Sequence, residues 1–302
     1  MKEAQHLTSM SGQSFTIFTL DQQLYRVCVN ILWAYPDEFI DFFPRLGGMH
    51  QLMSFVGSCG KLMNNSGLEV VMASAFASVD KLLKGKLYPM CVRSLRFVVE
   101  ELLRPYMPEL SSFRDMMNFL EDVSSKIRTS KLWVDCLIKS VLLIMQYVRA
   151  ERTGDWLLHL YASAEMIKYF FAAGHVNFAR YGLYNLLQMI NLPEHVMQKF
   201  LLGEHVMRIR DGVFNAIWSD MFIETTYMRF SKSPGGLIGK TLNEEAFQKW
   251  ALSHHVLTKC KSDMFHSLKP SKTKSSTACL HKEEMAWRLK ADAEDRGRYS
   301  IV

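Results

Sequence analysis

The sequence contains no CxxC pair, no apolar signal core and no apolar run of membrane length. Its six cysteines, Cys28, Cys59, Cys91, Cys136, Cys260 and Cys279, are scattered, and several sit inside apolar helical patterns as small hydrophobes do. Such usage argues against a disulfide framework and fits reduced thiols in the cytosol or nucleus. The opening residues MKEAQHLTSMSGQS are polar, and the longest apolar run, Ser140 to Val148, is far short of the roughly 20 residues that span a bilayer. Secretion and membrane insertion are therefore not expected, and the expected location is nuclear or cytoplasmic. Charge surplus is also scarce: the net charge is +6 over 302 residues, compatible with nucleic acid without requiring it. With 49% hydrophobic and 22% charged residues the chain buries a sizeable core, as one large domain or two small ones.

What is present is organised around residues 15–56. Phe15 to Leu20 is a short aromatic and β-branched run of the kind that forms a buried strand, and it stops at Asp21. Leu24, Val27, Cys28, Ile31 and Leu32 then recur at helical spacing. Phe39 to Leu46 is a second extended run, which breaks at Gly47-Gly48 and delivers His50 to the start of another helix. The strands, placed at Phe15–Leu20 and roughly Phe42–Leu46, are expected to pair in parallel across a single helix.

The rest predicts helices. Residues 1–14 are expected as an unstructured leader. Leu52, Phe55, Val56, Cys59, Leu62 and Met63 form one stripe, Pro89 to about Leu103 a long helix, Phe113 to Ile127 another, and Lys131 to Arg149 a more apolar one. Thr153 or Asp155 caps the next helix, Gly174 breaks it, and Asn177 to Met189 resumes it as a hairpin or bundle partner. His159 and His175 could be ligands, but neither has a partner at metal spacing, and structural roles fit them better. In residues 203–230, helical spacing puts Ile217, Met221, Glu224 and Met228 on one face, with Asp220 one turn before Glu224. Asn243 caps a helix over Leu242–Leu257. Lys259 to Val302 holds ten Lys or Arg against six Asp or Glu, with a basic Ser/Thr-rich linker at Lys269–Thr277 and a charged helix near Lys282–Asp295.

The blocks LDQQLY, RLGGMHQLMSF, GDWLLHLY, GHVNFARY and IWSDMFIETTYMR resemble those of a transposon-derived protein family similar to the RNase H-like (DDE-type, hAT/Mutator-like) transposase catalytic domain. The resemblance implies a mainly α fold: a small N-terminal β remnant of an RNase H-like core (residues 15–56), a large all-helical insertion (57–202), C-terminal core helices (203–258) and a basic tail (259–302). It implies catalytic positions at Asp21, His50 and Glu224, and carboxylates Asp21, Glu224 and Asp220 around Mg²⁺ or Mn²⁺, because hard cations take oxygen ligands and two-metal strand transfer needs several of them. Two departures follow from the same comparison. The strand bearing the first acid has no counterpart, as though the chain were truncated at both ends, and Gly47 stands where a potential ligand is usual.

Each position also has a plainer role. Asp21 suits a helix cap, His50 a helix start bonded to backbone, and Glu224 a salt bridge to Arg229 or Arg208. The expectation is therefore a transposase-like fragment that is catalytically inactive and at most DNA-binding through its basic C-terminal tail, with no membrane and no small-molecule substrate. The alternatives are a helical protein-interaction module built on the insertion, and an active metal-dependent nuclease or transposase.

Overall fold

In the computed structural model, residues 1–208, 212–228, 231–232 and 243–268 are described. Their architecture is mainly α, as expected. The two apolar runs form strands β1 (Thr16–Leu20) and β2 (Phe42–Leu46), paired in parallel with Thr16 against Phe42 and Leu20 against Leu46. They are joined through α2 (Gln22–Ala34). This helix buries Tyr25, Cys28 and Val29 against Leu20, Phe42, Leu46 and Tyr181, whereas Leu24 and Val27, two members of the expected stripe, are exposed. The 1–14 segment carries a helix, α1 (Lys2–Met10), in place of an unstructured leader. Met1 and Ala4 pack against the same core cluster, and Lys2 pairs with Glu38 at 2.6 Å, which holds the segment down.

Beyond β2 the chain is helical: α3 (Gly48–Leu62), α4 (Leu68–Ala73), α5 (Val79–Leu83), α6 (Tyr88–Leu103), α7 (Phe113–Lys126) and α8 (Arg128–Leu132). The expected Lys131–Arg149 helix is broken into α8, a π-helical segment Trp133–Ile138 and α9 (Lys139–Thr153). The wide turn presents Asp135 O to Tyr169 OH at 2.9 Å. Asp155 caps α10 (Trp156–Ala172) by accepting Leu158 N–H at 3.0 Å; α11 (Val176–Ile190) and α12 (Glu194–Leu201) follow. α10 and α11 form an antiparallel hairpin, with Phe170 on Phe178 near the turn and Trp156 on Met189 at the far end. β3 (Met207–Arg208) pairs antiparallel with β4 (Ala216–Ile217), so Ile217 lies in a strand and not on the expected helical face. Gly212, at φ +124°, supplies a left-handed backbone conformation in the connection, and the helix α13 (Ser219–Ile223) starts only at Ser219.

Contacts divide the chain into a unit running from Met1 to Asp220 and a second that begins at Met221. In the second, a π-helical turn (Glu224–Met228) is followed by α14 (Glu244–Leu268). Asn243 Oδ1 accepts Ala246 N–H at 2.7 Å, as its capping role requires, and α14 runs on to Leu268 instead of ending at Leu257. The expected linker at Lys269–Thr277 and helix near Lys282–Asp295 lie outside the described residues. No described helix is long and apolar enough to cross a membrane.

Candidate functional site

Both parallel strands deliver their last residues to the same edge. Leu20 and Leu46 are the final pair, and Gly47 N–H donates to Leu20 O at 2.7 Å, so Asp21 and Gly47 are the next residues on the two strands. In α/β units this edge favours anionic groups, because each following helix starts there with unpaired N–H groups.

The first helix start is satisfied locally, since Asp21 Oδ1 accepts Leu24 N–H at 2.8 Å and caps α2. The second has no such help, because its cap residue is Gly47. Its cap comes from far along the chain. Asp220 Oδ1 accepts Met49 N–H at 3.3 Å, and Asp220 Oδ2 accepts His50 N–H at 3.1 Å and lies 3.0 Å from His50 Nδ1. Asp220 is buried and His50 partly exposed. A carboxylate accepts only, so His50 Nδ1 carries a proton and donates to Asp220.

The two glycines are explained by this approach. A Cβ on Gly47 would lie 2.3 Å from Asp220 Oδ2, and one on Gly48 would lie 2.2 Å from Trp218 Cδ1. Neither residue has positive φ; what the position demands is room. Gly47, which in the sequence stood in place of a ligand, is the slot that the Asp220 carboxylate occupies. The segment carrying Asp220 is fixed by Ser219 Oγ, 3.2 Å from Thr19 Oγ1 on β1, and by Trp218, which packs edge-on to Tyr88.

Deeper in the same unit is a set of buried polar residues that the sequence did not flag as a group. Glu151 is fully buried on α9 and bonded to Nδ1 of His159, which stacks on Trp156 with centroids 4.8 Å apart. Arg45, buried on β2, donates from Nη1 to His205 O at 2.9 Å and lies over the rings of Trp156 and Phe200. His205 Nδ1–H donates to Phe200 O at 3.2 Å; burial first, then the Arg45 charge, pushes this imidazole down to about 2. Burial, then the carboxylates of Glu151 and Asp220, holds the Tyr147 phenol well above its usual range. The sequence signals for this group were His159, a Glu inside the apolar Lys139–Thr153 helix and an Arg inside an apolar strand, with nothing to join them.

Of the residues expected at the site, the fold brings His50 and Asp220 into contact and places Asp21 on the neighbouring strand end. Glu224 belongs to the second unit, where its carboxylate takes Lys232 Nζ at 3.1 Å. Arg208, one expected partner of Glu224, instead donates to Thr153 O and Gly212 O. His175 has a structural role, its Nδ1 lying 2.9 Å from Ser58 Oγ. Among the described residues no group of three or more His, Cys, Asp or Glu is arranged to hold a metal ion. The surroundings of Asp220 do not fit a divalent cation: two backbone N–H groups, an imidazole N–H and the positive end of α3 converge on its oxygens, an environment built for an anion.

A family model described as a domain of unknown function (DUF8702) matches residues 1–118 and 106–300. No curated protein and no solved structure matches the chain.

Proposed function

The chain belongs to the DUF8702 family, whose description assigns no activity, and from its own residues we propose that it is a transposase-derived, RNase H-like protein that does not cleave or join DNA and binds DNA at most. The observation that carries this reading is the state of Asp220. A metal-holding carboxylate must offer its oxygens to a cation, whereas Asp220 offers both to N–H donors of α3 and His50. Asp21 gives one oxygen to the cap of α2, and Glu224 pairs with Lys232. The parallel strand–helix–strand unit, with an acid at the end of its first strand, supports the RNase H-like descent; the carboxylates have become structural.

The test is a cleavage and strand-transfer assay with Mn²⁺ on the purified chain, beside the Asp21→Ala, Glu224→Ala double variant. No metal-dependent product is expected from either, and product from the first but not the second would overturn the proposal. DNA binding is checked in parallel. Residues 269–302 hold eight Lys or Arg against five Asp or Glu, so deleting them, which leaves α14 whole, should abolish weak, salt-sensitive binding.

A further inference from the structure

Independently of any DNA role, the parallel pair of strands treats its two outer edges differently. Thr16 N–H donates to Asp41 O at 2.8 Å and Gly47 N–H to Leu20 O at 2.7 Å, so Thr16, Phe18 and Leu20 turn their backbone groups towards β2, while Ile17 and Thr19 turn theirs away from it. On β2 the residues facing away from β1 are Phe42, Pro44 and Leu46. Every donor of that edge is accounted for. Phe42 N–H donates to Phe39 O at 3.2 Å, Pro44 has no N–H, and Leu46 N–H donates to Asn185 Oδ1 at 3.0 Å. On the β1 edge, the N–H and C=O of Ile17 and of Thr19 have no hydrogen-bond partner among the described residues.

The open edge also carries none of the features that keep a strand from pairing with another chain. Thr16–Leu20 holds no charged residue and no proline, and its register with β2 runs residue for residue without a bulge. Ile17, Phe18 and Thr19 are partly exposed, whereas Phe42, Pro44, Arg45 and Leu46 on β2 are buried. Thr19 Oγ1 accepts from Ser219 Oγ at 3.2 Å, a side-chain contact that leaves the Thr19 backbone groups unengaged.

We propose that β1 pairs with β1 of a second copy of this chain, antiparallel about a two-fold axis at Phe18. Ile17 then stands opposite Thr19 of the partner subunit, and Thr19 opposite Ile17 of the partner subunit. Because the open groups sit one position to either side of Phe18, each positive N–H of one edge meets a negative C=O of the other, and every open group of both copies is paired. The side chains match as well: the two Phe18 rings meet across the axis, and each β-branched Ile17 lies beside a β-branched Thr19. The result is one sheet of order β2-β1-β1-β2. Its outer strands are the ones with no free donor, so the assembly stops at the dimer instead of growing into a fibre.

Sedimentation of the purified full chain is expected to show a dimer. Thr19→Pro removes an outward N–H and sets a ring in the seam without touching the β1–β2 ladder, so it should weaken dimerisation about tenfold or more. Circular dichroism checks that the variant keeps its fold; if it does not, hydrogen exchange on the natural chain decides alone. The Ile17 and Thr19 amides should be protected in concentrated protein and exposed on dilution to monomer, while the Phe18 amide, bonded to β2, stays protected in both. A chain that is monomeric at every concentration overturns the proposal. So does a dimer that a folded Thr19→Pro variant leaves intact, or one whose Ile17 and Thr19 amides exchange freely, since the copies would then meet elsewhere.

Discussion

At Gly47 the side chain that is missing matters as much as any that is present. The Asp220 oxygen sits 2.3 Å from where a Cβ would be, so Gly47→Ala must push the carboxylate off the start of α3, leaving Met49 and His50 N–H without their acceptor. Loss of a cap and overpacking each cost roughly 1–3 kcal/mol. The two substitutions remove the same interaction, so Gly47→Ala and Asp220→Ala combined should cost clearly less than their separate effects added together, measured by denaturant unfolding of all four proteins. Strict additivity would separate the glycine from the carboxylate. The individual residues of this arrangement were legible in the sequence, since Asp21, Gly47, His50 and Asp220 all stood out there by type and context. Their pairing was not. Asp220 reaches His50 across 170 residues, and no local period encodes a contact of that span.

At the level of elements, local chemistry was the better guide. The strand–helix–strand unit followed from two short apolar runs around one helical pattern, and the caps at Asp21, Asp155 and Asn243 sit where Asx residues precede a helix. The failures came where tertiary contact overrode the period. Leu24 and Val27 lie on an apolar stripe yet face outward, because Tyr25 and Val29 take the buried side. Ile217 was assigned to a helix, but its segment pairs with Met207 and Arg208 as a strand. The capping role also makes a prediction about Asp21. If its part is structural, Asp21→Ser should keep nearly full stability, whereas Asp21→Ala should lose about 1 kcal/mol. Equal losses for the two in thermal unfolding would mean that the carboxylate charge does something a hydroxyl cannot.

For the molecule as a whole, the buried polar set predicts how stability responds to acid. His205 stays neutral in the fold down to about 2, while its imidazole in the unfolded chain takes a proton near its ordinary 6.5. A folded value below the unfolded one contributes stability that is fully present above about pH 6.5 and is lost progressively as pH falls below it. One such group sets a limiting slope of about 1.4 kcal/mol per pH unit. His175, also lowered by burial, adds a contribution of the same sign. The His205→Gln chain should show a shallower fall in unfolding free energy between pH 7 and pH 5, whatever its stability at neutral pH, and an unchanged slope would remove His205 as the cause.

The long reach of Asp220 bears on how this chain is made. A ribosome releases residues in order, so α3 emerges with its glycine start open and must wait for some 170 more residues before its acceptor exists. Until then the parallel strands and α3 have no lock from Trp218 and Asp220, and a nascent chain halted before that point leaves the Gly47-Gly48 cleft exposed. The contacts of Asp220 with Met49 and His50 can therefore form only after residue 220 has been made.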